Sequence, residues 1–336
     1  MNSNLNNHSG DRKKLLLGII IMLIAATLFG TLGTLTNLAV KAGLSPVSFA
    51  MWRELFGTIS LIILLAFGIG KPPKADRTPL SKIPRNQIRN LIIASIAFSA
   101  YSLAMFYAFV ELSVALAMLL FYTFPAIVTI ICAVTGVERL NSPKLIALIL
   151  SLGGGALAVI GQLFGQSVQI STLGIALALG AALGMSVFYM IGRSGYQSLP
   201  PTYATTFFLA AGSIVFAICG LAFGEGATLI APFVDASAYV WFILIFAGLA
   251  GAAIPTMLMV TSIRMIGASR ASTMQIFEPV VAAILAAIFL AQPIYTIQII
   301  GGALIIIAAF ILQRKTKEPS IELPLSMPDL EARKME

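Results

Sequence analysis

Charged residues are scarce in this sequence: Asp, Glu, Lys and Arg make up 10% of its 336 residues, whereas 59% are hydrophobic. A soluble globular domain has roughly 25% charged residues. So little polar surface could not keep a folded domain of this size in water. The composition therefore predicts an integral membrane protein.

Histidine and cysteine are also rare. The single histidine is His8, close to the N-terminus, and the two cysteines, Cys132 and Cys219, lie inside apolar segments. The membrane region therefore offers no histidine for a metal site or a nucleophile. The cysteines are best explained as small apolar packing residues, so no disulfide is implied. We expect neither a metal nor a cofactor.

Long apolar segments recur along the whole chain. Each is long enough to cross a hydrocarbon core of about 30 Å as a helix. We predict an all-α integral membrane protein with ten transmembrane helices. The predicted spans are about 15–38, 47–69, 91–110, 113–135, 145–163, 172–192, 203–223, 239–260, 271–290 and 296–313.

The basic residues explain the net charge of +8 without a nucleic-acid partner. With ten spans, nearly all Lys and Arg fall in tails and loops on one side of the membrane; the exceptions are Lys41 and Arg53. This asymmetry follows the positive-inside rule. It predicts a multi-pass protein of the cell (inner) membrane with both termini cytoplasmic. The predicted tails are 1–14 and 314–336, the second of them disordered.

The two halves of the chain are related by an internal repeat. An offset of 154 aligns Pro125 with Pro279, and near the N-terminus an offset of 156 aligns Gly18 with Gly174. Each half holds five predicted spans, and an odd number makes the second half enter from the opposite face. We therefore predict two inverted five-helix repeats, an architecture found in alternating-access transporters. They cover residues 15–163 and 172–313.

Two segments resemble a known family. They read FYTFPAIVTIICAVTGVERL (121–140) and FEPVVAAILAAIFLAQ (277–292). The first carries a mid-helix proline followed by Glu138-Arg139, and the second carries Glu278-Pro279. Over about residues 17–313 the sequence resembles the EamA-type permeases of the drug/metabolite transporter (DMT) superfamily. The resemblance extends to Arg53 in the second helix, but Gln292 stands where the family usually repeats the acid.

This resemblance implies a secondary transporter that moves a small amphipathic metabolite, such as an amino acid, as an exporter. Its expected partners are a small-molecule substrate and the lipid bilayer. Two alternatives remain open: a multidrug or toxic-cation efflux carrier, and an intramembrane enzyme acting on lipid-linked substrates. The enzyme would need converging acid, base or metal groups. The sequence offers one midplane acid, so we predict no enzymatic activity.

The paired prolines predict hinges. Pro125 and Pro279 both fall near the bilayer midplane, and each frees the carbonyl four residues earlier, at Phe121 and Gln275. A free carbonyl at this depth is tolerable only against protein or a water-lined cavity. We therefore expect both prolines to act as hinges around a central binding cavity. The alternative is a static bend that only improves packing.

Glu278 is the strongest candidate for substrate binding. An ionisable group inside the membrane is costly and is usually functional. Glu278 would bind an amine or carry a proton, which makes the proton a candidate coupling ion. The alternative is a protonated carboxyl hydrogen-bonded to a neighbouring helix.

Five further residues are candidates for the substrate site. Arg53 either extends its charge to the outer interface or reaches Glu278 or a substrate carboxylate. Its neighbour Glu54 projects about 100° away on a helix, so we do not require the two to pair. A buried tyrosine needs a partner for its hydroxyl. The remaining candidates are Tyr101, Tyr122, Gln275 and Ser269.

Overall fold

The structure is a computed structural model that describes residues 2–68, 70, 82–112, 114–138, 140–160, 171–222, 224, 226, 229, 237–290 and 294–313. All regular secondary structure within these residues is helical. The helices are α1 (Asn2–Lys41), α2 (Pro46–Ala66), α3 (Arg85–Glu111), α4 (Val114–Phe121), α5 (Phe124–Val134), α6 (Ser142–Ile160), α7 (Thr172–Ser194), α8 (Pro201–Ala222), α9 (Ala238–Gly248), α10 (Ile254–Ile266), α11 (Ala268–Gln275), α12 (Glu278–Leu290) and α13 (Thr296–Gln313).

Within the described ranges, eight helical segments are long and apolar enough to cross a membrane; three of them join neighbouring helices, α4 with α5, α9 with α10 and α11 with α12. The apolar parts of α6 and α13, Ser142–Leu157 and Thr296–Leu312, are shorter. Large apolar side chains on the helices are exposed, as expected of a surface that faces lipid. The predicted all-helical membrane class is confirmed. Ten crossings stays a prediction because these two helices are shorter than the other eight segments.

The helix contacts follow the internal repeat. Helix α1 packs on α10 and α12, and its counterpart α7 packs on α3 and α5. Exchanging the two halves converts one set of contacts into the other. Helices α2 and α8 pack on each other, as do α6 and α13. These helix pairs are counterparts, so each connects the two halves.

Two helix breaks lie at equivalent positions. Helix α4 ends at Phe121 and α5 begins at Phe124; α11 ends at Gln275 and α12 begins at Glu278. The two breaks are 154 residues apart, and each is followed by a proline as the second residue of the next helix. Proline lacks the backbone N–H that a continuous helix would use. The sequence therefore interrupts the chain in the middle of both apolar segments.

A third irregularity separates α9 from α10. The π-helical segment Leu249–Ala253 precedes Pro255, the second residue of α10. Beside it, α2 and α9 approach closely: a Cβ added to Gly57 would lie 3.0 Å from the carbonyl oxygen of Gly248. The close packing of α2 against α9 therefore requires small residues.

Candidate functional site

A cavity of about 570 Å³ lies between the halves and reaches the α1–α2 turn, where Val40 and Pro46 line it. This size is within the range of small-molecule sites. Much of its wall is aromatic, and two charged side chains, Arg53 and Glu278, also line it. The aromatic lining residues are Phe29, Phe49, Phe98, Tyr101, Phe106, Phe109 and Phe121.

Glu278 lines this cavity as the first residue of α12. The amide Nε2 of Gln275 donates a hydrogen bond to its Oε2 at 2.6 Å. The hydroxyl of Tyr189 donates in turn to Gln275 Oε1 at 3.4 Å. The N-terminal end of a helix also favours a negative charge. The helix break therefore orients one carboxylate at the cavity wall.

Arg53 and Glu54 form a second charged group in α2. Arg53 Nη2 lies 3.0 Å from Glu54 Oε1, and the exposed fractions of the two side chains are 9% and 0%. Arg53 lines the cavity, whereas Glu54 lies behind it, beside Ser102. Adjacent helical residues need not pair, but these two do because burial leaves each charge no better partner.

The structure brings most of the predicted site residues to this cavity. Arg53, Tyr101, Gln275, Glu278 and Pro279 line it. Tyr101 lies within electrostatic reach of Arg53, Glu54 and Glu278.

Three predicted residues lie behind the cavity wall. Tyr122 is buried near the Glu278 carboxylate. Pro125 is buried at the start of α5. Ser269 lies next to Thr129, with their hydroxyl oxygens 3.1 Å apart, where α11 meets α5. These residues contact the site's supporting helices rather than the cavity.

Several lining residues were missed from the sequence. Asn37 and Thr34 of α1, Ser102 of α3 and Thr256 of α10 all contribute polar atoms to the cavity region. Asn37 carried a weak signal, since it is an amide near the end of an apolar segment. The threonines and the serine gave no such signal, because their hydroxyls also commonly hydrogen-bond to carbonyls of their own helix.

The end of the bundle opposite the cavity mouth is held together by polar contacts around Glu138. Its Oε2 lies 3.5 Å from Lys144 Nζ, and its Oε1 lies 3.3 Å from Arg193 Nη1. Arg193 also donates to the carbonyl of Val137 at 2.9 Å. The Glu138 carboxylate rests on Gly267, the link between α10 and α11. Arg139 and Gln292, the other residues of this motif, lie outside the described residues.

A second set of polar contacts closes the same end. Arg264 of α10 donates to the carbonyls of Leu199 and Tyr196 at 2.7 and 3.2 Å, and its guanidinium lies 4.9 Å from the Tyr196 ring centre. Burial raises the pKa of the Tyr196 phenol, so it stays neutral. Asn90 of α3 donates to Gly195 O at 3.0 Å. The contacts of Glu138 with Arg193 and of Asn90 with Gly195 connect the two halves, whereas those of Arg264 lie within the second half.

The described residues contain no group of three or more His, Cys, Asp or Glu side chains that could hold a metal ion. The site's polar groups are instead two carboxylates, one guanidinium, amides and hydroxyls. Such groups bind charged and hydrogen-bonding parts of a ligand, while the aromatic walls accommodate its apolar part.

Comparisons with known proteins identify the family of this chain. Residues 16–160 and 172–314 each match the EamA-like transporter family. An uncharacterized transporter from Archaeoglobus fulgidus is 22% identical over 299 residues, covering 89% of this chain and 97% of its own. A crystal structure of a protein with 19% identity has the same fold, with a TM-score of 0.70 over 88% of this chain and 95% of that one. This chain therefore belongs to the EamA-like transporter family and is a multi-pass membrane transporter.

Proposed function

We propose that the protein is a secondary transporter that exports a small amphipathic metabolite, such as an amino acid, by alternating access. The observation that carries this proposal is the cavity between the halves, where aromatic walls surround Arg53 and Glu278 beside a mid-helix break. The two repeats, 15–163 and 172–313, would have inverted orientations in the membrane, and the substrate would bind between them. Binding at the repeat interface is typical of such carriers.

Alternating access requires one end to close while the other opens. The cavity reaches the α1–α2 turn at one end, and the contacts of Glu138 and Arg264 close the other. The predicted topology places the closed end in the cytoplasm and both termini on the same side. The structure would then represent an outward-facing state, in a cell (inner) membrane.

The two broken helices supply the proposed hinges, at Pro125 and Pro279. Thr129 and Ser269 lie at the closed-end side of these breaks and contact each other. Rotation of α5 or α11 about its break would separate them and open a path from the closed end. Helix ends that rotate about a few residues are a common form of gating.

Glu278 is proposed to bind the substrate's amine or to carry a coupled proton. Gln275 contacts its carboxylate, Tyr122 lies beside it and Tyr189 contacts Gln275, and these three residues limit where a ligand can approach. A toxic-cation carrier is the second candidate. The observation that favours it is the same carboxylate among aromatic rings, because ring faces attract organic cations.

Reconstituted vesicles test the proposal. Uptake of labelled amino acids and cationic amphiphiles is compared between the wild type, Glu278→Gln and the control Glu111→Gln. Glu111 accepts a hydrogen bond from Ser171 at 2.6 Å. The proposal expects at least one substrate to move, with uptake lost in Glu278→Gln and retained in the control. Transport of no compound by the wild type would contradict it, and equal transport by Glu278→Gln would remove Glu278 from the cycle.

A further inference from the structure

The ion pair between Arg53 and Glu54 is unusual because it is buried on a helix that faces a cavity. Arg53 is 8% exposed, and its Nε is buried and has no hydrogen-bond partner among the described residues. Glu54 contacts only one edge of the guanidinium, through Nη2. A guanidinium carries five N–H donors, and two parallel ones fit a carboxylate. Because Glu54 contacts Nη2 alone and the side chain lines the cavity, Arg53 keeps N–H donors for a ligand.

Gly212 of α8 determines where Glu54 can lie. A Cβ added at Gly212 would overlap the Glu54 carboxylate. Helices α2 and α8 pack on each other, so the carboxylate occupies the volume that the missing side chain leaves. Gly212 is thus a steric requirement for the observed pair, independent of the charges themselves.

We propose that Arg53 binds an anionic group of the transported amphiphile, and that Glu54, held in the space beside Gly212, is the counter-ion that limits how tightly that group binds. This inference rests on the proposed transport function and adds a selectivity for carboxylate-bearing substrates. Glu54 is a positioning and specificity-determining residue, since it contacts Arg53 and does not line the cavity.

Electrostatics gives the direction of the effect. A ligand carboxylate at Arg53 would lie within several ångströms of the Glu54 carboxylate, and the two negative charges repel. At an effective dielectric constant of about 20, such repulsion weakens binding by about tenfold or more. Without Glu54, Arg53 would hold an anion too firmly for release at the end of a cycle. With it, Arg53 has a partner in the empty cavity and avoids an isolated buried charge.

Two small-molecule probes with the same apolar group isolate the effect of the ligand's negative charge. We suggest 3-phenylpropionate and 3-phenylpropionamide, which share a phenyl group and differ in whether the polar end carries a negative charge. Affinity is measured by isothermal titration on the purified full-length protein in lipid nanodiscs. The wild type is expected to bind the acid about tenfold more tightly than the amide. Equal affinities for the two probes would overturn the proposal.

Four variants assign the roles. Arg53→Gln is expected to abolish the preference for the acid over the amide, and Arg53→Lys to retain part of the preference. Glu54→Gln keeps the shape and a hydrogen-bond acceptor but removes the charge, so the acid is expected to bind about tenfold more tightly. Gly212→Ala should act in the same direction because its Cβ displaces the carboxylate.

A double-variant comparison separates this account from general damage. Gly212→Ala is expected to change the acid-to-amide ratio in the wild type but not in Glu54→Ala, because the displaced group is then missing. Gly180→Ala is the matched control: it is a helical glycine whose added Cβ would meet open space. An unchanged ratio in both Arg53→Gln and Glu54→Gln would overturn the proposal.

The outcomes also distinguish this inference from the transport function. If the acid and amide bind equally but a labelled compound crosses vesicles, the Arg53 inference fails and the transporter stands. If the acid binds with the expected preference but no compound crosses, the transport proposal fails while the anion site stands.

Discussion

Neutralising Glu138 should open the closed end of the bundle. Its contact with Lys144 is buried, with side-chain exposures of 4% and 9%, whereas Arg193 is 34% exposed. A buried charge pair such as Glu138–Lys144 contributes about 2 kcal/mol, and the more exposed contact with Arg193 adds less than about 1 kcal/mol. At about 1.4 kcal/mol per factor of ten, Glu138→Gln should raise the population of the open state roughly 30-fold.

Cysteine labelling measures this population. In a background in which Cys132 and Cys219 are replaced by alanine, Ser269→Cys introduces a thiol at the contact between α11 and α5. Ser269 is 3% exposed, so a hydrophilic maleimide can react only when the closed end opens. Because opening precedes labelling, the labelling rate follows the open population. We expect a rate increase of at least about tenfold in Glu138→Gln.

The opposite end of the bundle provides the control. Glu111→Gln removes a charge near the cavity mouth, where Ser171 contacts it. This variant should not accelerate labelling at Ser269→Cys. An equal rate in Glu138→Gln and its parent, with circular dichroism unchanged, would refute the role of Glu138 as a latch. Equal acceleration by both variants would point to general loosening of the fold.

Two further perturbations concern the backbone. Gly267→Ala should lower the free energy of unfolding by about 1–2 kcal/mol, because Gly267 has φ = 87° and an added Cβ would lie 2.5 Å from Glu138 Oε1. Thermal unfolding of this variant, measured beside the control Gly180→Ala, checks the prediction. An equal unfolding midpoint in the two variants would contradict it. Pro279→Ala should slow uptake into vesicles by about tenfold or more, because alanine lets the helix continue through the break and a continuous helix cannot rotate there. Substrate affinity should stay within about threefold of the wild-type value. An unchanged uptake rate would favour a static bend.

The sequence located the helix breaks but not all of the charged site. Pro125 and Pro279 are aligned by the same offset as the segments around them, so they occupy equivalent positions in the two repeats. Because proline interrupts a helix, the sequence predicts an interruption at both positions. The burial of Glu54 had no such signal. It depends on Gly212, which is 158 residues away, and on the packing of α2 against α8. A local rule about helix geometry instead led us not to require Arg53 and Glu54 to pair.

The closed end shows the same limit. Arg193 and Lys144 were interpreted from the sequence as charges that set the topology. The positive-inside rule does not require such charges to have acidic partners. In the structure both contact Glu138, because the C-terminal ends of α5 and α7 meet the start of α6 there. The π-helical segment Leu249–Ala253 was also missed. Gly248 and Pro255 flank it and Gly251 lies within it, but glycine and proline are common in membrane helices without such a segment.

The central claim is that the cavity serves each side of the membrane in turn, and counterflow tests it most directly. Vesicles are loaded with an excess of an unlabelled substrate identified by the uptake panel and then diluted into a trace of the same labelled compound. A carrier that must reorient with its substrate should accumulate label transiently above equilibrium, and Glu278→Gln should not. A monotonic approach to equilibrium in the wild type, unaffected by preloading, would contradict alternating access and indicate a channel.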